Sequence, residues 1–158
     1  MLLPDGSATN WDQLAELLTA GLTAVKEVDP EIQTVLHLDR GDDNLASRWW
    51  FDEALSRGVK FDIIAQSCYS TWQGLPEEWE QNFVDLAERY PDHSFVIAEY
   101  ADNYRAANDV MFNLPRRLGT FIWEPMAQGE WGPGLFVNGA AVDTIHLYDQ
   151  TAEDYGLR

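Results

Sequence analysis

Two carboxylates stand where an apolar run stops. Glu99 follows Phe95-Val96-Ile97-Ala98, and Glu124 follows Phe121-Ile122-Trp123. A carboxylate at the end of an apolar strand leaves water unless a partner receives it. Such a glutamate either bonds to a helix N-terminus or an arginine, or it does chemistry. Two carboxylates on neighbouring strand ends could serve as nucleophile and general acid on a glycoside. Pro125 predicts an extended Glu124, which could then simply close its strand.

Aromatic residues accompany them. Trp123 directly precedes Glu124, and Tyr69 and Trp72 share the loop segment Ser67-Cys68-Tyr69-Ser70-Thr71-Trp72-Gln73-Gly74. Flat faces with polar edges suit sugar rings, and the same residues also build ordinary cores. Trp49-Trp50-Phe51 reads as helix packing. His37, inside an apolar run, is either a satisfied core histidine or a donor to a substrate hydroxyl. Asp42-Asp43 and Glu77-Glu78 read as solvated helix starts favoured by the helix dipole. Cys68 has no base in its own segment, which argues against a thiol nucleophile.

Composition closes off several classes. The 158 residues carry 10 Lys plus Arg against 27 Asp plus Glu, a net charge of −17. That excess argues against a nucleic-acid partner, which needs clustered cations, and against docking on an anionic membrane. One cysteine excludes an intrachain disulfide framework and a Cys-based zinc cluster. The three histidines are too far apart for a compact metal motif, and Asp39 to Asn44 is rejected as a calcium loop, so neither cofactor nor metal is expected. No apolar run approaches a membrane span. The start, Met-Leu-Leu-Pro-Asp-Gly, lacks a basic region and does not read as a signal peptide.

The elements that must position these residues alternate in period. A helix runs from a capping box at Asn10 and Gln13 to Pro30, with Leu14, Leu18, Leu22 and Val25 on one face. A buried strand is predicted at 34–38, a helix at 44–57 ended by Gly58, and a strand at 61–66. A helix opens at Pro76 and carries Trp79, Phe83, Leu86 and Tyr90. A strand at 94–98, a helix at 102–114 and a strand at 120–123 follow. The tail is Gly-rich over 129–139 and helical around 144–155. Short apolar strands spaced by helices indicate an α/β fold, a parallel sheet with helices outside. His37 and Asp39, Gln66 and Ser67, Glu99 and Glu124 then all fall at carboxyl ends of strands, where such folds place their chemistry.

Taken in order, LLPDG, NWDQLAELLTAG, AVKEVDP, VLHLDRGDDN, WWFDEALSRGVKFDIIAQSCY, TWQG, VIAEY and GTFIWEP resemble glycoside hydrolase family 53, the arabinogalactan endo-β-1,4-galactanases. The likeness covers most of the chain and is strongest over residues 1–125. It implies a retaining (β/α)8 TIM barrel of which this chain holds strands five to eight with their helices. Residues 1–158 would be a single partial barrel domain, the first half absent. It makes Glu99 the catalytic nucleophile and puts Tyr69 where it could steady that carboxylate. His37 and Asp39 fall in the substrate-facing segment. Trp123 becomes the sugar platform, and Trp72 extends the groove. The implied partner is a β-galactan or arabinogalactan polysaccharide. The family is usually secreted, which this chain does not itself signal.

Two departures accompany the resemblance. Gln73 stands where many members have a histidine, which bears on one subsite contact. The family's acid/base glutamate sits in an Asn-Glu pair before the segment matching LLPDG, and these 158 residues contain no such pair. The isolated polypeptide is therefore expected to be inactive or nearly so, and to self-associate or to need the missing half. The alternative is a noncatalytic carbohydrate-binding or acidic interaction protein.

Overall fold

The computed structural model describes residues 9–126 and 134–157. The LLPDG segment and part of the Gly-rich tail lie outside them. Helix α1 spans Trp11–Val28, strand β1 Val35–Leu38 and helix α2 Asn44–Ser56. Strand β2 spans Ile63–Ser67, helix α3 Pro76–Arg89 and strand β3 Ser94–Tyr100. Helix α4 spans Tyr104–Asn113 and strand β4 Arg117–Ile122. A hairpin of β5 (Phe136–Val137) and β6 (Ala140–Ala141) leads to helix α5, His146–Asp154.

The four long strands form one sheet in the order β1-β2-β3-β4, every pair parallel. Parallel neighbours require crossovers, and each crossover is a helix. The helices cover one face. Phe51 of α2, Trp79, Phe83 and Leu86 of α3, and Ile64, Phe95 and Ile97 of the strands are fully buried in one cluster. The other face carries a second, much smaller buried group, Ile63, Ala65 and Val96.

Local chemistry explains the element boundaries. Asp43 caps α2, its carboxylate accepting from the Ala46 amide at 2.9 Å. Glu78 accepts from the Leu75 amide at 2.8 Å and closes the first turn of α3 behind Pro76. Both satisfy amides that the helix itself leaves unpaired. The expected capping box at Asn10 does not form. Its side chain donates to the Gln13 side chain instead of accepting from a backbone amide.

Two strands differ from expectation. β1 is not uniformly buried: Leu36 faces the helices, whereas Val35 is 44% exposed on the other side. β4 begins at Arg117, three residues before the predicted start, and is mostly half-buried or exposed. Both are edge strands of the sheet, so each has a neighbour on one side only. Glu124 is not extended either. Its φ of 42° lies in the left-handed region despite the following proline. Among the described residues no helix is long and apolar enough to cross a membrane.

Candidate active site

The period of two along a strand decides which polar strand-end residues can meet. Gln66 and Ser67 are consecutive and therefore face opposite sides of β2. Gln66 is fully buried toward the helices, donating to Ser47 Oγ at 3.0 Å and accepting from the Arg40 amide at 3.3 Å. Ser67 points the other way. The sheet register shifts after Gln66, so that Ser67 stands beside Glu99 of β3. The Cys68 amide donates to the Glu99 carbonyl at 2.8 Å and locks that shift.

This irregularity turns the Glu99 carboxylate toward two hydroxyls. Ser67 Oγ and the Tyr69 hydroxyl both donate to Glu99 Oε2 at 3.3 Å. These are long for O–H···O bonds. Ser67 Oγ also lies 2.8 Å from His37 Nε2, and His37 Nδ1 lies 3.9 Å from Glu99 Oε1. The Glu99 side chain is 28% exposed, so it is held and still reachable.

Tyr69 is buried, and its environment keeps it a donor. Burial first, and then the charge and hydrogen bond of Glu99, push its phenol far above the ordinary tyrosine range. Glu124 and Asp102 add to that push with their negative charge. The loop carrying Tyr69 is tied down on both sides. The Tyr69 amide donates to Gln73 Oε1 at 3.0 Å, and Ser70 is hydrogen-bonded to the Asp102 carboxylate beyond β3.

Asp39, Ser67, Tyr69, Trp72, Gln73, Glu99 and Trp123 line one open cleft of about 230 Å³. Trp72 and Trp123 are 55% and 40% exposed, and Trp72 meets the Tyr69 ring edge-on at 5.4 Å. Apolar rings left open around a carboxylate suit a flat polar ligand. The structure thus brings Glu99, Tyr69, Trp72 and Trp123 together, with His37 behind Ser67. Asp39 reaches only the rim, 76% exposed and 3.5 Å from Arg40.

Two residues that line the cleft, Ser67 and Gln73, and Asp102, which holds the neighbouring Ser70, carry no role in the sequence reading. Ser67 was visible only as a polar strand end, and Gln73 only as a departure from the family pattern. Asp102 gave no signal. Cys68 is buried on the helix side, its thiol pushed up by burial and by nearby acidic charge. Among the described residues no group of three or more His, Cys, Asp or Glu is placed to hold a metal ion.

The family model for glycosyl hydrolase family 53 matches residues 1–114. The chain belongs to glycosyl hydrolase family 53. The arabinogalactan endo-β-1,4-galactanase of Humicola insolens is 32% identical to it, over 79% of this chain and 48% of that protein. A Niallia circulans protein encoded in the bgaB 5′ region is 46% identical over 80 residues, 51% of this chain and 22% of that protein. The solved family 53 catalytic domain of Ignisphaera aggregans superposes with a TM-score of 0.83 at 25% identity. It is covered over 55% of its length by 96% of this chain. The chain thus spans about half the length, or less, of the relatives it matches. Its four-stranded parallel sheet with outer helices is the corresponding half of a family 53 TIM barrel.

Proposed function

We propose that this chain supplies the nucleophile side of a retaining glycosidase that cleaves β-1,4-linked galactan. The observation that carries the reading is the Glu99 carboxylate, opening from the end of β3 into a cleft walled by Tyr69, Trp72 and Trp123. Glu99 attacks the anomeric carbon and forms a covalent galactosyl-enzyme, which water then hydrolyses. Tyr69, held protonated, donates to the carboxylate. Trp123 and Trp72 offer stacking faces to successive sugar rings. His37 and Asp39 bind hydroxyls along the groove. The galactan substrate is drawn from the activity named for the Humicola insolens relative.

A retaining enzyme needs a second carboxyl about 5–5.5 Å from the nucleophile. The family supplies it from an Asn-Glu pair that these 158 residues do not contain. Glu124 is the local carboxylate next in line, but it follows the strand beside Glu99 and does not match the family's acid. The proposed enzyme therefore draws its protonated carboxyl from polypeptide outside this sequence, and residues 1–158 by themselves are a single partial barrel domain without turnover.

The test mixes this chain with a polypeptide carrying strands one to four of a family 53 barrel. New reducing ends on β-1,4-galactan are then measured. Cleavage by the mixture, none by either part, and loss to background with Glu99→Gln support the reading. Equal cleavage with Glu99→Gln removes Glu99 as nucleophile. A second reading, a noncatalytic galactan-binding protein, is favoured by the exposure of Trp72 and Trp123. It predicts galacto-oligosaccharide binding by titration with no turnover in any mixture.

A further inference from the structure

The Glu99 carboxylate is not held symmetrically. Both hydroxyl donors, Ser67 and Tyr69, converge on Oε2. Among the described residues Oε1 has the His37 ring as its neighbour, at 3.9 Å. Ser67 is 3% exposed, so water cannot readily replace its hydroxyl, and that hydroxyl touches both His37 and Glu99. Because Ser67 Oγ donates its one proton to Glu99, it accepts at His37, which places a proton on His37 Nε2. His37, Ser67 and Glu99 then form a directed chain of donors that ends on Oε2.

We infer that Ser67 is a positioning residue that couples His37 to Glu99 and leaves Oε1 as the attacking oxygen. This deepens the glycosidase reading and rests on it for its catalytic meaning. In the first step, a bond forms between Glu99 Oε1 and the anomeric carbon as the glycosidic C–O bond breaks. The electron pair goes to the leaving oxygen, which takes a proton from the carboxylic acid supplied outside this chain. Oε2 becomes the carbonyl oxygen of the ester, still facing the Ser67 and Tyr69 hydroxyls. In the second step water attacks the anomeric carbon, the same acid residue takes its proton, and the carboxylate returns with Oε2 already held. Keeping Oε2 in fixed hydrogen bonds through both steps means that the ester forms without reorienting its surroundings.

The coupling is measured on the 158-residue chain itself, without turnover. Three histidines are present (His37, His93 and His146), so their ring ¹⁵N resonances are readily separated. Glu99→Gln is expected to shift the His37 resonances in the wild-type background. The same change is expected to move them less than half as far in a Ser67→Ala background and fully in a Ser67→Thr background, which keeps the hydroxyl. His93 and His146 report any general disturbance and are expected to stay in place. Ser67→Gly deletes the hydroxyl independently if the alanine variant does not fold. An equal shift with and without the Ser67 hydroxyl overturns the proposal, because His37 would then sense Glu99 directly. No shift of His37 on Glu99→Gln overturns it too. Failure of the glycosidase reading shows separately, as a chain coupled in this way that yields no cleavage in the complemented assay.

Discussion

The two faces of the sheet make opposite use of the same strands. On the helix side, side chains from β1 to β4 interlock with α1 to α4 and leave Phe51, Trp79, Phe83, Leu86, Phe95 and Ile97 without solvent contact. On the other side the buried apolar cluster among the described residues shrinks to Ile63, Ala65 and Val96, while Val35 is 44% and Phe121 67% exposed. The candidate site belongs to the open face. His37 and Ser67 project there because each lies one residue out of phase with a helix-facing neighbour, and Glu99 because the register shift beside Ser67 sets it on the same side as Ala98. A closed core on one side fixes the strand ends, and a sparse second side leaves room for a ligand.

The contrast breaks most visibly in the core. Phe83→Ala removes a fully buried ring from the interior of α3 and is expected to cost about 3–5 kcal/mol, read as a lower denaturant midpoint. A cost below about 1 kcal/mol would mean that the helix layer is not a packed interior. Next comes Gly41, in the turn between β1 and α2. A Cβ there would meet the Ser67 carbonyl oxygen at 2.5 Å and Cys68 Sγ at 2.9 Å. Backbone cannot yield as a side chain tip can, so Gly41→Ala is expected to cost about 1–3 kcal/mol. It should also displace Ser67, visible as a change in the His37 resonances. Gly41 thus ties the packed side to the site.

The fold was legible because its signals are local. Pro76, Asp43 and Gly58 mark helix ends through capping chemistry that needs no partner from elsewhere in the chain. Apolar runs at 94–98 and 61–66 name strands, and their spacing names a parallel sheet. The site was only half legible. Glu99, Tyr69 and Trp123 stand out as polar or aromatic residues at strand ends. Ser67 was named only as a polar strand end, because its contacts with Glu99 and His37 come from a register shift between β2 and β3 that no single-strand pattern encodes. Asp102 escaped because its link to Ser70 joins two loops far apart in sequence. The conformation of Glu124 went against a sound local rule, since residues before proline favour extended backbone.

Acid should loosen the closed side in two stages. His93 packs its ring 4.6 Å from Phe61, and its buried Nδ1 has no hydrogen-bond partner. Burial lowers its pKa, opposed by Asp92 and Asp62 and reinforced by Arg116. The unfolded chain then binds the proton more readily than the folded one, so stability is full above about pH 6.5 and falls as the pH drops below it. Asp62, held first by the Thr34 amide and also by Lys26, has a lowered pKa, as does Asp52 beside Arg89. Their contributions persist above about pH 4 and disappear as the pH falls through the folded-state values. Both are partly exposed, so each is worth less than about 1 kcal/mol. Denaturation midpoints from pH 8 to 3 are expected to decline in two steps. His93→Gln should remove the first and Asp62→Asn should shrink the second. A single step near pH 4 in the wild type would show that His93 Nδ1 is not buried as described.

The smallest stability effect belongs to the open face, and there the association state gives the sharper measurement. Phe121 alternates with Thr120 and Ile122, which face the helices, and so points to the side that no helix among the described residues covers. Its ring is already mostly in water, so Phe121→Ser is expected to change folding stability by no more than about 0.5 kcal/mol. The ring is nonetheless an apolar surface beside the free edge of β4, and such edges with apolar faces favour association. Sedimentation velocity on the wild type should show concentration-dependent assembly that Phe121→Ser weakens, while Phe83→Ala should first unfold the chain. A stability loss for Phe121→Ser as large as that for Phe83→Ala would mean that the second face is packed in solution. The comparison between the two faces would then fail at its weaker side.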